Sequence, residues 1–393
     1  IPDAHRVLSA EYVTTQDGTG LVHLAPAFGA DDMVAVRSAG MPIVNPVAAD
    51  GHFEPQLDLV GGMWFREANQ PIIDDLAARG VLFRELAYEH AYPHCWRCHS
   101  ALLYYALPAW YIRTTEIADR LLEENERTNW VPETMKWGRY GDWLRGNVDW
   151  SLSRSRYWGT PLPIWICPDD HETAVASLAQ LGELAGRDLS DLDPHRPFVD
   201  AVAITCPHDG CGKEAERVSE VIDVWYDSGA MPFAQFGYPH APGSGEVFDA
   251  AYPAQYICEA VDQTRGWFYS LMAIGTLVFD RSSYENVVVL GHILAEDGRK
   301  MSKHLGNVIA PMPLLDQHGA DAVRWLMLCS GSPWNSRRVG HGNIEEVVRK
   351  VVLGLWNTAA FFTLYAEVSG CDPADGTAGE PDALDRWVRS RLA

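Results

Sequence analysis

The spacing of apolar residues changes period several times along the chain, and each change marks an element. Val287-Val288-Val289 is a β-branched run bounded by polar residues, which predicts a buried strand. Leu162 to Ile166 predicts another, and Leu21-Val22-His23-Leu24 a third. Residues 114–126 carry apolar positions at helical spacing and predict an amphipathic helix. Residues 70–80 predict a short helix, with Pro71 near its start and Gly80 at its end. Pro26 to Gly29 reads as a turn. Asp31 and Asp32 follow where a helix can begin, since carboxylates are favoured at helix starts. Between 219 and 310 strands alternate with helices, which predicts a parallel sheet with crossover helices. From about 314 the pattern turns helical, most strongly over 344–366. Residues 369–382 read as a polar, Gly-rich linker, with a further helix starting near Asp382. No apolar run approaches the length needed to cross a bilayer.

These elements predict an α/β chain of several parts. Residues 1–85 mix short strands with turns. Residues 86–147 form a connecting segment that holds a Cys/His knuckle and, over 88–113, an aromatic-rich strand. Residues 148–310 carry the parallel sheet, with a Cys/His-bounded insert at 167–213. Residues 311–343 bridge to a helical region over 344–393. A length of 393 residues suits two or three domains. The start, Ile-Pro-Asp-Ala-His-Arg, has no signal-peptide pattern and reads as a cut inside a longer chain. The formal net charge of −22 argues against indiscriminate binding to phosphate backbones. It leaves room for a shaped RNA site served by local basic groups such as Arg337-Arg338, Arg349-Lys350 and the arginines from Arg386 to Arg391, which read equally well as solvated helix faces.

Candidate chemistry concentrates in a few places. Gly298-Arg-Lys300-Met301-Ser302-Lys303-His304-Leu-Gly306-Asn307 places two lysines three apart in a Gly-flanked loop after the valine strand. Two compact ammonium groups on a loop suit the neutralisation of a polyphosphate. Glu259-Ala-Val-Asp262-Gln263-Thr-Arg-Gly266-Trp267 puts polar residues at a strand-to-helix turn. At the carboxyl end of a parallel strand such residues face the ligand crevice, although a helix cap would use the same residue types. Ile222 to Pro232 reads as an extended segment, so alternation puts Trp225 and Asp227 on one face. The eight cysteines fit metal chemistry in a reducing compartment better than a disulfide framework. Cys167, His171, Cys206 and Cys211 offer four ligands for Zn²⁺. Cys95-x-x-Cys98 offers half a site, to be completed from elsewhere or by His94 or His99.

The lysine loop resembles the KMSKS signature of class I aminoacyl-tRNA synthetases. The isoleucyl branch of that family is matched further by Asp149-Trp150 through Trp165, by Gly18 through Asp32, and by the Trp225 and Trp267 segments. The resemblance covers essentially the whole chain. It implies a partial Rossmann-type catalytic domain over 148–310, preceded by the late part of a β-rich editing domain over 1–85. It further implies a stem-contact-like segment over 311–343 and the beginning of a helical anticodon-binding bundle over 344–393. Lys300 and Lys303 would hold ATP phosphates. Glu259, Asp262, Gln263, Met301 and Ser302 would contact ATP or the adenylate, and Trp225 and Trp267 would wall an apolar isoleucine pocket.

His23 and Asp32 match editing residues, with Asp32 anchoring the α-amino group of a mischarged valine. Editing has a physical cause: one methylene is worth only about 1–3 kcal/mol of discrimination, a general limit for which isoleucine against valine is the standard illustration rather than anything predicted here. The implied activity is isoleucine–tRNA ligation, with ATP, isoleucine and tRNA(Ile) as partners and Mg²⁺ and Zn²⁺ as cofactors. The protein is expected to be cytoplasmic, free of membranes and monomeric at full length. Two residues depart from the family pattern: Ala260 stands where glycine is usual, and His304 where serine is common. The His-x-Gly-His element of the first Rossmann half is not in this sequence, so the stretch alone is expected to be an inactive internal fragment. That gap also suits a competing reading, a free-standing editing deacylase or tRNA-binding factor, for which Trp225, Asp262, Gln263 and Trp267 would have no use. A zinc-ribbon interaction module explains the cysteines but leaves the lysine loop idle.

Overall fold

The computed structural model describes residues 4–16, 18–95, 98–302, 305–372, 374 and 379–393. It divides into two units, Ile1–Pro108 and Ala109–Ala393.

In the first unit the predicted helices form as Ala30–Ser38 and Asn69–Ala78. Asp31 and Asp32 occupy the first turn of the former and Arg37 its last, which suits the helix dipole at both ends. Leu21 to Leu24 departs from expectation: it is not a strand in the described structure. An apolar run is not enough, because a strand also needs a neighbour whose backbone it can pair with. The aromatic-rich stretch 88–113 departs for the same reason. Its described residues form one bridge, His94 to Ala101, and a two-residue strand, Tyr111–Ile112, paired with Trp150–Ser151.

The second unit is built on a parallel sheet in the order Ile257–Ala260, Asn286–Leu290, Asn129–Val131. The central strand carries the predicted valine run, with Val287 and Val289 fully buried. The edge strand Asn129–Val131 comes from the connecting segment, where no sheet strand was expected. Its Trp130 packs in one core with Tyr140, Phe268, Leu271, Met272 and Tyr284. Helix Trp267–Phe279 is apolar on all sides and buried from Phe268 to Thr276, as a helix covered on every face should be. It crosses helix Val224–Ala234 at Gly229, where an added Cβ would stand 2.7 Å from both Ile274 Cδ1 and the Ser270 carbonyl.

That second helix corrects the extended reading of 222–232. Asp223 accepts the backbone N–H of Trp225 at 3.1 Å and caps a helix over Val224–Ala234. Residues two apart on a helix point about 200° apart, so Trp225 and Asp227 do not share a face. The insert folds as an antiparallel sheet in the order Glu172–Ala174, Ile164–Ile166, Glu214–Arg217, Ile204–Thr205. It has its own core of Trp165, Leu181, Val202 and Ile204.

The helical end runs as His341–Val347, a π turn over Val348–Val352, and Leu353–Val368. Ala383–Leu392 follows, and Asp382 and Asp385 cap it reciprocally. The expectation about apolar runs also needs correcting. His341–Val368 is a 28-residue helix long and apolar enough to cross a membrane by length and composition, and its apolar window is unburied in the described structure. Its first turns hold Glu345, Glu346, Arg349 and Lys350, which break up the run when it is read residue by residue.

Candidate functional site at the carboxyl edge of the parallel sheet

The two parallel strands Ile257–Ala260 and Asn286–Leu290 end in register, Ala260 opposite Leu290. Their carboxyl ends therefore leave the sheet at one edge, where open α/β sheets bind ligands. From Ala260 the chain enters a 3-10 turn, Val261–Arg265, and then helix Trp267–Phe279. This turn carries Asp262, exposed, and Gln263, half-buried, with Glu259 exposed on the strand before it. Thr264 anchors the turn from below: its buried hydroxyl donates to the Val261 carbonyl at 2.8 Å and accepts from Arg139 Nε at 2.9 Å.

Gln263 joins the turn to the cleft wall. Its Oε1 accepts the Trp267 backbone N–H at 2.8 Å, satisfying one of the donors a helix start leaves open. A Cβ added at Gly266 would stand 2.7 Å from that Oε1 and 3.1 Å from Trp225 Cη2, so Trp225, Gly266 and Gln263 are in close contact. The Trp267 indole N–H donates to the Ser228 carbonyl at 3.1 Å. That carbonyl is available because the residue four positions on is Pro232, inside the helix and without an N–H to give. Both tryptophans thus lie beside the polar turn. Burial raises the Asp227 carboxyl, a hydrogen bond from Thr160 opposes that, and the Asp223 charge adds to the rise.

The other strand end leads through Gly291 to a short strand, Ile293–Ala295, that pairs in parallel with Arg337–Val339. A Cβ at Gly291 would stand 2.3 Å from the Asn335 backbone carbon, so only glycine lets the chain cross here. The lysine loop follows. The Asn307 side chain closes it, accepting from the Ser302 N–H at 2.8 Å and donating to the Lys300 carbonyl at 3.2 Å. Lys300 is exposed, and Met301 and Ser302 are half-buried. Lys303 and His304 lie outside the described residues.

In the first unit, His23 lines an apolar cavity of about 780 Å³ together with Val7, Leu21, Phe28, Met41 and Leu57. Asp32 is not in its lining. Its carboxylate accepts from the Tyr12 hydroxyl and from the Ala25 N–H, each at 2.9 Å. Exposed Tyr12 is raised above the ordinary phenol range by desolvation and by this contact with Asp32.

The insert brings its four candidate ligands together. The ligand atoms of Cys167, His171, Cys206 and Cys211 all lie within 4.8 Å of one another. Cys167 and Cys211 Sγ are 3.8 Å apart, and Cys206 Sγ is 3.7 Å from His171 Nδ1. A tetrahedral metal with bonds of about 2.3 Å to sulfur has edges of about 3.8 Å, so the donor set fits such an ion. The thiols already differ. For Cys167 burial disfavours ionisation, but the backbone N–H groups of Asp169 and His171 outweigh it and hold the thiol low. For Cys211 the Lys213 N–H lowers, while burial and the neighbouring thiols raise more strongly, to about 11. His208 stacks on His171, with ring centroids 4.6 Å apart. Cys95 and Cys98 form no such group among the described residues. Cys98 is held at about 7 by the Ser100 hydroxyl at 3.0 Å and the Ser100 N–H.

Sequence reasoning missed Asp223, Arg154 and Gly266. A buried Asp one residue before a helix start was the available signal for the first.

A parallel sheet with a polar turn and two indoles beside its carboxyl edge suits the class I tRNA synthetases. The chain belongs to that family: the model described as "tRNA synthetases class I (I, L, M and V)" matches residues 3–337. Among curated relatives, isoleucine–tRNA ligase of Streptomyces avermitilis is 64% identical over 391 residues, covering 99% of this chain and 37% of that protein. The isoleucine–tRNA ligase of Thermobifida fusca is 62% identical, and that of Clostridium novyi 44%, over 99% and 100% of this chain and 38% of each relative. The chain thus spans little more than a third of the length of these relatives. A solved structure of Mycobacterium tuberculosis methionyl-tRNA synthetase in complex with methionyl-adenylate matches with a TM-score of 0.51 at 15% identity, over 93% of this chain and 67% of that one. It supports the class I fold.

Proposed function

We propose that the full-length protein carrying this chain is an isoleucine–tRNA ligase, which joins isoleucine to ATP as the adenylate and passes it to the 3′ end of tRNA(Ile). The observation that supports this reading is the Ala260–Leu290 register, which starts both the polar turn and the chain leading on toward the lysine loop from one sheet edge. The identity of 64% to an isoleucine–tRNA ligase supports isoleucine as the amino acid. Trp225 and Trp267 offer an apolar wall that suits a branched alkyl group and gives nothing to a polar one. Asp262 and Gln263 accept and donate to the ribose and the α-amino group. Lys300 and Lys303 bring positive charge to the departing pyrophosphate. Catalysis is then positioning plus electrostatic stabilisation, with no covalent enzyme intermediate. Mg²⁺, when bound, neutralises phosphate charge.

The four-ligand group in the insert takes Zn²⁺, which would tie the loops at 167–171 and 206–211 together as a structural site. His23 and Asp32 belong to the hydrolysis of mischarged valine, and the helices from His341 onward to an anticodon-binding bundle. The protein acts in the cytoplasm as a monomer. The competing reading, an editing factor without activation, leaves the tryptophan cleft and the polar turn without a role. One charge contact to a transition state is worth about 2.7–4 kcal/mol. Lys300→Ala in the full-length protein therefore slows isoleucine-dependent ATP–pyrophosphate exchange by about 10²–10³-fold. A rate within threefold of wild type removes the assigned role.

A further inference from the structure

Asp223 is a buried carboxylate that the proposed reaction does not use. Its Oδ1 accepts the Trp225 N–H at 3.1 Å. Its Oδ2 accepts Arg154 Nη2 at 2.7 Å and the Trp150 indole N–H at 3.1 Å. Its own N–H donates to the Leu152 carbonyl at 2.7 Å. A carboxylate that is 4% exposed is costly to bury without hydrogen-bond partners of this kind, and removing one side of such a set strands the other. These contacts join the Trp150–Arg154 segment to the start of helix Val224–Ala234. The first residues of that helix carry Trp225, whose ring edge meets Gly266.

We propose that Asp223 is a positioning residue for the amino-acid cleft: Oδ1 fixes Trp225 through the helix start, while Arg154 and Trp150 hold the carboxylate in register. Resting on the ligase reading, this adds that the affinity of the cleft for its aliphatic side chain is set one layer behind the indole. The two oxygens have separable duties. Asp223→Asn keeps an acceptor for the Trp225 N–H but turns an amide against the Arg154 and Trp150 donors. Asp223→Ala loses both.

The test uses the full-length protein and two readouts. In isoleucine-dependent ATP–pyrophosphate exchange, Asp223→Ala raises the KM for isoleucine about tenfold and leaves the KM for ATP within twofold. Asp223→Asn keeps the isoleucine KM within threefold although its melting temperature falls. With 5-fluorotryptophan incorporated, the Trp225 resonance, assigned by its loss in Trp225→Phe, shifts and broadens in Asp223→Ala and stays near its place in Asp223→Asn. A purely structural role would move both variants together, in proportion to lost stability, and that result overturns the proposal. So does a Trp225 resonance unmoved in Asp223→Ala. Wild-type protein with no isoleucine-dependent exchange, but with the resonance shift confined to Asp223→Ala, overturns the ligase reading and leaves the positioning role standing.

Discussion

Gly266→Ala tests the cleft geometry with a single methyl group. The new Cβ would stand 2.7 Å from Gln263 Oε1, inside any ordinary contact distance, and 3.1 Å from Trp225 Cη2. The amide of Gln263 can swing away, but its oxygen then gives up the Trp267 N–H it holds at 2.8 Å. That hydrogen bond is worth about 0.5–1.5 kcal/mol. Pushing the Trp225 ring back adds part of an overpacking cost, which typically runs at about 1–3 kcal/mol. A combined loss of about 2 kcal/mol at the cleft corresponds to roughly 30-fold in kcat/KM. The assay is pyrophosphate exchange with isoleucine and ATP varied in turn, beside a thermal melt. The loss should fall on kcat/KM for isoleucine, with the ATP KM little changed. A variant that folds normally and stays within twofold of wild type refutes the contact among Trp225, Gly266 and Gln263.

Gly291→Ala meets only backbone, with the Asn335 carbon 2.3 Å away. It should cost about 1–3 kcal/mol or more, and a melting temperature within a degree of wild type would show that the crossing is looser than described. Metal analysis should find zinc bound through the insert, lost on Cys206→Ser together with the cooperative melting of that insert. Protein purified without chelator that retains zinc in Cys206→Ser contradicts the ligand set. Acid should loosen the same insert. Burial raises Asp200, but Arg217 and Arg196 outweigh it and hold the carboxyl low. A depressed carboxyl stabilises the fold above its ordinary value near 4 and loses that contribution as pH falls through the depressed value. Melts from pH 6 to 3 should show an acid-dependent loss that is weaker in Asp200→Asn, and equal slopes would dissociate Asp200 from it.

Part of this architecture was readable from the chain because local rules decide it. The valine run had nowhere to go but a covered strand, and its Val287 and Val289 are buried. The polar turn follows the strand end at Ala260 as expected, and parallel register brings that end and Leu290 to one edge. The four insert ligands were found from residue type, although 44 positions separate Cys167 from Cys211. What failed depended on partners distant in sequence. Leu21 to Leu24 is an apolar run like a strand but pairs with none among the described residues. Trp225 and Asp227 were placed on one face by a strand's two-residue period, yet a capping carboxylate starts a helix there. Trp130 gave no sign of joining the sheet, since a three-residue strand is too short to show a period. The contacts of Asp32 with Tyr12 and Ala25 likewise lie beyond what a pattern match shows.

The central claim is that an aliphatic amino acid and a nucleotide meet at this sheet edge. ATP–pyrophosphate exchange by the full-length protein, run against a panel of amino acids, tests it most directly. The account predicts exchange that depends on isoleucine, weaker exchange with valine, and none with lysine, aspartate or glycine. Exchange that is indifferent to the side chain, or best with a polar one, would contradict it.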